Sequence, residues 1–415
     1  MSGHTSLDAW LGEQLLGRLE RRRGSLRFVY ERSAIERHGL GIPLVSVSLP
    51  TTLRPLSQRF CLPFFDGLLP EGEARRIIAY DLGLPEADTF GLLAVLGREC
   101  AGALAIVATG GSPPPTPTVE AARPMTDDEL ARKVLNLRGF PLGVDHDIRV
   151  SLGGVQEKLL ITRKRNGWGL PVEGSASTHI VKPGRSDLPG NVVSEALCLR
   201  VAAALAVPVA SAVLDKIAGF DVIIVERFDR AVADDGTIER FHQENACQAL
   251  GVPVGSVPRK YEQSGGPSLR QVASVLTRWG TTDDLEMLLR HTTVNVLVGN
   301  ADGHAMNTSF LLAPRGVLTL SPMYDVFSSL HYQVDATPGM YINGQTDLRN
   351  VTMRDLIAEG IGWGIPPPRA QNIVDELLTN GPAAVTEAMN ATPQAAGPIG
   401  DFLVQRIASL SRSAR

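Results

Sequence analysis

The sequence lacks several features that mark whole classes of protein. It has no run of about 18 apolar residues, so we expect no segment to cross a membrane. Its first ten residues are polar and lack the apolar core of a secretory signal, so secretion by that route is not expected. Its four cysteines are widely spaced and form no C-x-x-C pair. We therefore expect reduced, buried thiols in a cytoplasmic protein rather than a zinc site or a disulfide framework.

Neither sign of charge dominates the chain, whose formal net charge is −4. This value argues against a basic, nucleic-acid-binding surface over the whole protein and leaves a local basic patch open. Hydrophobic residues make up 44% and charged residues 20%, which excludes collagen-like and wholly disordered chains. At roughly 100–200 residues per domain, a chain of this length predicts two to four domains or lobes.

Proline and glycine are concentrated at residues 110–118, which predicts an extended linker. The patterning on either side predicts an α+β protein with a two-lobed layout. We expect an N-terminal α/β subdomain at 1–108 and a linker at 109–125. A β-rich lobe at 126–228 and a mostly helical lobe at 229–415 follow.

Two local predictions accompany this layout. Residues 44–49 alternate between apolar and polar side chains, which is typical of a half-buried strand. Residues 284–298 have helical spacing, and Asp283 or Asp284 is the expected N-cap.

The most informative stretch for function is residues 300–307. Asp302 and Asn307 have the Asp-x-x-x-x-Asn spacing that protein kinases use in their catalytic loop. An aspartate can accept the proton of an attacking hydroxyl, and an asparagine oxygen suits Mg²⁺. A predicted β-hairpin then returns the chain to Asp325, so a carboxylate and an amide oxygen are expected to form a cation site that also takes nucleotide phosphates.

Each of these signals has an ordinary explanation when taken alone, because Asp-Gly and Asn are common turn residues. The support comes from their order along the chain. A glycine turn at 151–158 lies between short predicted strands and can bring backbone N–H groups close to an anion. Lys182 ends the next predicted strand, and the β-branched strand at 222–228 resembles a hinge between lobes.

The whole set resembles the HipA-type serine/threonine kinases, the toxins of bacterial toxin–antitoxin pairs. This resemblance implies that the two lobes form a protein-kinase-like fold. In the N-terminal region, residues 64–72 and 96–103 are similar to that family. In the kinase region the similar segments are 150–158, 179–184, 225–230, 243–251, 294–307 and 321–325.

The resemblance implies a role for individual residues. Asp302 would be the catalytic aspartate, Asn307 and Asp325 would hold Mg²⁺, and Ser151 would be an autophosphorylation site. The implied ATP-binding residues are Gly153, Gly154, Val155, Gln156, Glu157, Lys158, Lys182, Glu226, Arg227, Phe228, His304 and Tyr324.

The resemblance also implies ATP and Mg²⁺ as cofactors and a small helix-turn-helix antitoxin, similar to HipB, as partner. The protein substrate would be a translation component such as an aminoacyl-tRNA synthetase. Because the chain shows no helix-turn-helix reader of its own, specific DNA contact is expected only through the antitoxin.

Two other functions remain open at this point. The chain could be a catalytically silent kinase that serves as a co-repressor with its antitoxin. It could also be a metal-dependent phosphoesterase with Asp302, His304 and Asp325 as ligands, although Lys182 and the glycine turn would then have no role. ATP-dependent phosphorylation by the chain would exclude the silent kinase. Hydrolysis of a phosphoester without nucleotide would favour the phosphoesterase.

Overall fold

The computed structural model describes residues 5–111, 114–137, 139, 141–142, 157–172, 175–254, 259–313 and 316–413. The chain forms two compact units that interleave along the sequence. The first unit takes Met1–Lys182, Glu226–Pro258 and Leu311–Val317, and the second takes Pro183–Val225, Arg259–Phe310 and Leu318–Arg415. The expected division into regions 1–108, 109–125, 126–228 and 229–415 stays a prediction.

The N-terminal part of the first unit is a five-stranded antiparallel sheet in the order β4-β3-β2-β1-β5, accompanied by four helices. Phe28 on the sheet and Phe64 and Phe65 on a helix are fully buried together, with Phe28 and Phe65 ring centroids 5.2 Å apart. The elements are β1 (Ser6–Leu11), β2 (Gln14–Arg22), β3 (Ser25–Tyr30), α1 (Arg32–His38), β4 (Leu56–Ser57), α2 (Gln58–Asp66), α3 (Gly72–Asp81), α4 (Thr89–Leu96) and β5 (Leu104–Ala108).

The middle of the chain contains most of the remaining strands. In the first unit, β9, β7, β8 and β6 are hydrogen-bonded neighbours in that order; in the second, β10 and β11 form an antiparallel pair. The elements are β6 (Arg123–Pro124), α5 (Asp127–Leu135), β7 (Leu159–Lys164), β8 (Gly167–Leu170), β9 (His179–Pro183), α6 (Asn191–Ala204), β10 (Ala212–Ile217), β11 (Phe220–Glu226), β12 (Arg230–Val232), β13 (Ile238–Arg240), β14 (Gln243–Asn245) and α7 (Ala246–Ala249).

Helices form the core of the second unit. The long helix α11 packs against α6, α9 and α12, and its buried residues, such as Ile373, Leu377 and Leu378, recur at the helical period. The remaining elements are α8 (Leu269–Trp279), α9 (Thr282–Val298), β15 (Ser309–Leu312), β16 (Leu318–Leu320), α10 (Met353–Gly362), α11 (Pro367–Asn390) and α12 (Pro398–Ser413). In the described part of the chain, no helix is long and apolar enough to cross a bilayer.

Two predictions about local structure were wrong. Residues 44–49 are mostly buried but form bends and turns, because Leu49 N–H closes on the Ser46 carbonyl at 3.0 Å instead of pairing with a strand. The N-cap of α9 is Thr281, not an aspartate; its hydroxyl accepts from Asp284 N–H in a capping box.

The cysteine prediction is confirmed for the fold, since all four thiols are buried and free. Burial raises the pKa of Cys61, Cys100 and Cys198 to about 12, so these thiols stay protonated.

Candidate active site

The end of α9 fixes the position of the predicted catalytic loop. Gly299 ends the helix in the left-handed conformation, with φ 72°, which costs a glycine little. The next residues are anchored by the backbone. Ala301 N–H donates to Ser329 Oγ at 2.7 Å, and its carbonyl accepts from Gly339 N–H at 2.7 Å. A Cβ on Gly339 would lie 2.7 Å from His304 N, so only glycine permits this approach.

Asp302 is the centre of this loop. Its Oδ1 accepts a hydrogen bond of 2.7 Å from the Tyr261 hydroxyl, and its carbonyl accepts from His304 N–H at 2.8 Å. Burial raises the pKa of the Asp302 carboxyl, and the charge of Asp325 raises it further, against the opposing effect of Tyr261. A carboxyl with a raised pKa is better suited to accept a proton than an ordinary surface aspartate.

Asn307 and Asp325 lie beside Asp302 in the second unit. Asn307 Nδ2 donates to the Asp302 carbonyl at 3.1 Å, which fixes the orientation of the amide. The amide oxygen Oδ1 then remains as an acceptor or a metal ligand. The hairpin β15–β16 returns the chain to Asp325, which has φ 57°. The charge of Asp325 acts to raise the pKa of both Asp302 and His304.

His304 and Tyr324 belong to the same cluster. The His304 ring meets Tyr261 edge-on at a centroid distance of 5.0 Å. Burial, assisted by the charge of Lys260, lowers the pKa of His304 to about 3, so it is neutral at pH 7. The Tyr324 hydroxyl donates to the Met306 carbonyl at 2.7 Å and lies 2.6 Å from Ser309 Oγ. Their predicted contacts with ATP stay predictions.

Tyr261, Lys260 and Arg185 were missed by the sequence analysis. Tyr261 is 41 residues from its partner Asp302, and no periodic pattern connects them. The charges of Lys260 and Arg185 act on Asp302 and partly offset the effect of Asp325 on its pKa. The available signal was the Gly265-Gly266 pair that follows Tyr261, where Gly265 is left-handed with φ 81°.

Two predicted phosphate-binding lysines lie in the first unit. Strands β7 and β9 are antiparallel with Leu159 opposite Val181, so the same register places Lys158 opposite Lys182. Both side chains are largely buried, at 8% and 7% exposure. Glu157 lies beside them, whereas Ser151, Gly153, Gly154, Val155 and Gln156 lie outside the described residues.

The predicted hinge residues, Glu226 to Phe228, begin at the last residue of β11 and belong to the first unit. Glu226 is exposed and Phe228 is half-buried, but Arg227 is buried and its N–H donates to the Thr178 carbonyl at 2.9 Å. The guanidinium of Arg227 forms ion pairs with Glu99 and Asp229. Because the N–H and the guanidinium of Arg227 are both engaged, its backbone carbonyl is the group that would contact ATP.

The described residues contain no group of three or more His, Cys, Asp or Glu side chains arranged for a metal ion. The phosphoesterase hypothesis requires a three-ligand site of Asp302, His304 and Asp325, and this finding counts against such a site. It leaves open a magnesium site of one carboxylate and one amide, because Mg²⁺ takes few protein ligands and completes its shell with water and phosphate oxygens.

Two family models match the chain. The model of the HipA-like C-terminal domain matches residues 150–385, and that of the HipA N-terminal domain matches residues 7–107. The chain belongs to the HipA family. The expected HipA-type resemblance is therefore confirmed, and with it the assignment of the chain as a serine/threonine-type kinase.

Individual HipA relatives cover most of the chain. The protein Y4mE of Sinorhizobium fredii, whose name describes it as a kinase, is 34% identical over 89% of each chain. The serine/threonine-protein kinase toxin HipA of Shewanella oneidensis is 27% identical over 85% of this chain and 82% of the relative.

A solved HipA structure has the same fold. It is the complex of HipA, HipB and operator DNA from Shewanella oneidensis, with a TM-score of 0.83, 25% identity, and coverage of 98% of this chain and 96% of that one. The predicted α+β, kinase-like fold is confirmed.

Proposed function

We propose that this HipA-family kinase transfers the γ-phosphoryl group of ATP, with Mg²⁺, to a serine or threonine of a protein and acts as the toxin of a toxin–antitoxin pair. The observation that carries the proposal is the placement of Asp302 and Asn307 in one loop of the second unit, with Asp325, in the segment after β16, acting electrostatically on Asp302. These are the residue types that phosphoryl transfer requires at such a loop.

The donor set fits magnesium. Two neighbouring carboxylates, Asp302 and Asp325, repel each other, and a cation beside them relieves that repulsion. Asn307 Oδ1 and an Asp325 oxygen would hold Mg²⁺, which supplies charge neutralisation of the ATP phosphates when bound.

Asp302 would act on the acceptor hydroxyl. The hydroxyl oxygen forms a bond to the γ-phosphorus, the bond from that phosphorus to the β–γ bridging oxygen breaks, and the hydroxyl proton passes to Asp302. The hydrogen bond from Tyr261 holds Oδ1, which leaves Oδ2 as the oxygen that faces the substrate.

Several finer properties belong to the same proposal. Lys158, Lys182, Glu157 and the glycine turn would bind the phosphates, Glu226 to Phe228 would bind the adenine, and Ser151 would be autophosphorylated. The partner would be a HipB-like helix-turn-helix antitoxin through which the kinase meets DNA, as the solved Shewanella complex supports. An aminoacyl-tRNA synthetase is the proposed class of substrate, and the cytoplasm the proposed location.

The test is incubation of the purified chain with γ-labelled ATP, Mg²⁺ and cell lysate, followed by mapping of the labelled sites. We expect label on serine or threonine that EDTA abolishes and that Asp325→Asn reduces by at least about a hundredfold. Asp401→Asn, an exposed aspartate of the second unit, is the matched control and should label normally. Equal labelling by Asp325→Asn, or labelling in EDTA, would contradict the metal assignment.

The same experiment distinguishes an active kinase from a catalytically silent co-repressor. A catalytically silent chain would give no label in any substrate or in itself. We also expect that expression of the wild type without its antitoxin arrests growth, whereas expression of Asp325→Asn does not.

A further inference from the structure

A network of five charged side chains is buried in the first unit. Their side chains are at most 13% exposed. They are Glu99, Arg227, Asp229, Arg230 and Arg240. Glu99 comes from the N-terminal domain, between α4 and β5, whereas the others come from the kinase region after β11.

Glu99 contacts the two segments that carry predicted nucleotide-binding residues. Its Oε1 accepts from Arg227 Nη1 at 3.0 Å, and Arg227 lies inside the proposed adenine-binding segment. The same oxygen accepts from Ser177 N–H at 3.2 Å and from Ser177 Oγ at 3.1 Å. Ser177 precedes β9, the strand that carries Lys182.

The remaining contacts of the network join residues 100–102 to residues 227–230. Asp229 accepts from Arg227 Nε at 2.9 Å and from Gly102 N–H at 2.7 Å. Arg227 Nη2 and Arg230 Nη2 donate to the Cys100 carbonyl at 3.2 and 3.0 Å. Residues 99–102 thus serve as acceptors and donors for residues 227–230.

We propose that Glu99 is a positioning residue of the nucleotide site: it holds the adenine-binding segment and the start of the lysine strand in register for ATP. The proposal rests on the proposed ATP-dependent function. It gives the N-terminal domain a part in nucleotide binding, although that domain supplies no predicted ATP contact of its own.

The charge balance explains why Glu99 is needed. Two carboxylates face three guanidinium groups, so loss of Glu99 would leave three buried cations with Asp229 alone. Burial opposes ionisation of Glu99, but the arginines hold its pKa below the ordinary value. Burial and the neighbouring Arg227 lower the pKa of Arg230 to about 10, which indicates that the positive charges already repel one another.

Glu99→Gln in the full-length chain is the test, because it removes the charge and retains an oxygen acceptor. MgATP affinity is measured by titration, and autophosphorylation rates are measured as a function of ATP. We expect Kd and KM for ATP to rise about tenfold, with the rate at saturating ATP within about twofold of the wild type. A merely structural role would reduce the amount of active protein and leave KM unchanged.

Asp66→Asn is the matched control. Asp66 is also a largely buried acid of the N-terminal domain, and its carboxylate accepts from Arg75 Nη2 at 2.8 Å and from the Thr89 hydroxyl. Its variant should keep the wild-type affinity for ATP. An equal loss of affinity in Asp66→Asn would overturn the proposal, because the effect would then be a general one.

A second variant covers the case in which Glu99→Gln fails to fold. Glu99→Gln with Arg240→Gln removes one charge of each sign and restores the original balance. It should fold and still bind ATP more weakly than the wild type. Wild-type affinity in either folded variant overturns this inference alone, whereas a wild-type chain that binds no ATP overturns the proposed function as well.

Discussion

At the scale of single residues, Asp302 illustrates how one side chain is prepared by several others. Tyr261 holds one carboxylate oxygen, Asn307 holds the backbone carbonyl, and Asp325 raises the pKa of the carboxyl. The spacing of Asp302 and Asn307 could be read from the sequence because it is a local pattern. The contribution of Tyr261 could not, because a hydrogen bond between distant residues leaves no periodic signal.

Tyr261→Phe should lower the turnover number about tenfold and leave the KM for ATP nearly unchanged. The substitution removes the donor to Asp302 Oδ1, and a hydrogen bond to a charged group contributes about 1.5–3 kcal/mol. The ring packing on His304 is retained by phenylalanine. Steady-state phosphorylation rates provide the measurement, with Tyr80→Phe, an exposed tyrosine, as the control. An unchanged turnover number would show that Tyr261 does not orient the aspartate.

At the scale of elements, the sequence predicted long periodic segments better than it predicted their ends. The helix expected at 284–298 is observed as α9, and β7, β9 and the β15–β16 hairpin were expected close to their observed positions. The stretch 44–49 misled because turn residues in a core can alternate as a strand does. The network around Glu99 was missed because Glu99 and Arg227 are 128 residues apart.

Asp284→Ala should destabilise the second unit more than Thr281→Val does. Both variants break the capping box of α9, which costs about 1–2 kcal/mol. Asp284 Oδ1 also accepts from Leu320 N–H at 2.8 Å, so its loss leaves a strand donor of β16 unpaired. Urea unfolding followed by circular dichroism measures the difference. Equal destabilisation would indicate that the bond to Leu320 contributes nothing.

At the scale of the whole molecule, composition predicted the class of protein and the family resemblance predicted its kinase-like fold. The interleaving of the two units could not be predicted, because it depends on which distant segments pack together. Residues 311–317, for example, belong to the first unit although both neighbouring segments belong to the second.

Buried neutral histidines should make the protein sensitive to acid. Burial lowers the pKa of His242 to about 4 and of His291 to about 3. The unfolded chain therefore binds more protons below pH 6.5, and the free energy of unfolding falls as the pH falls. Each histidine should cost about 2 kcal/mol at pH 5 relative to pH 7.

The midpoint of urea unfolding between pH 7 and pH 5 provides the measurement. His291→Met should reduce the dependence on pH, because it removes a buried imidazole. A wild-type protein with the same midpoint at both pH values would contradict this account of the buried imidazoles.

Asp302 is the proposed proton acceptor in phosphoryl transfer from ATP, and the most direct measurement compares wild type with Asp302→Asn at saturating ATP and Mg²⁺. The substitution keeps the shape of the side chain and removes the proton acceptor. We predict that incorporation of label from γ-labelled ATP falls by at least about a thousandfold, while the variant stays folded and binds ATP. Label incorporated by a folded Asp302→Asn chain at the wild-type rate would contradict the account.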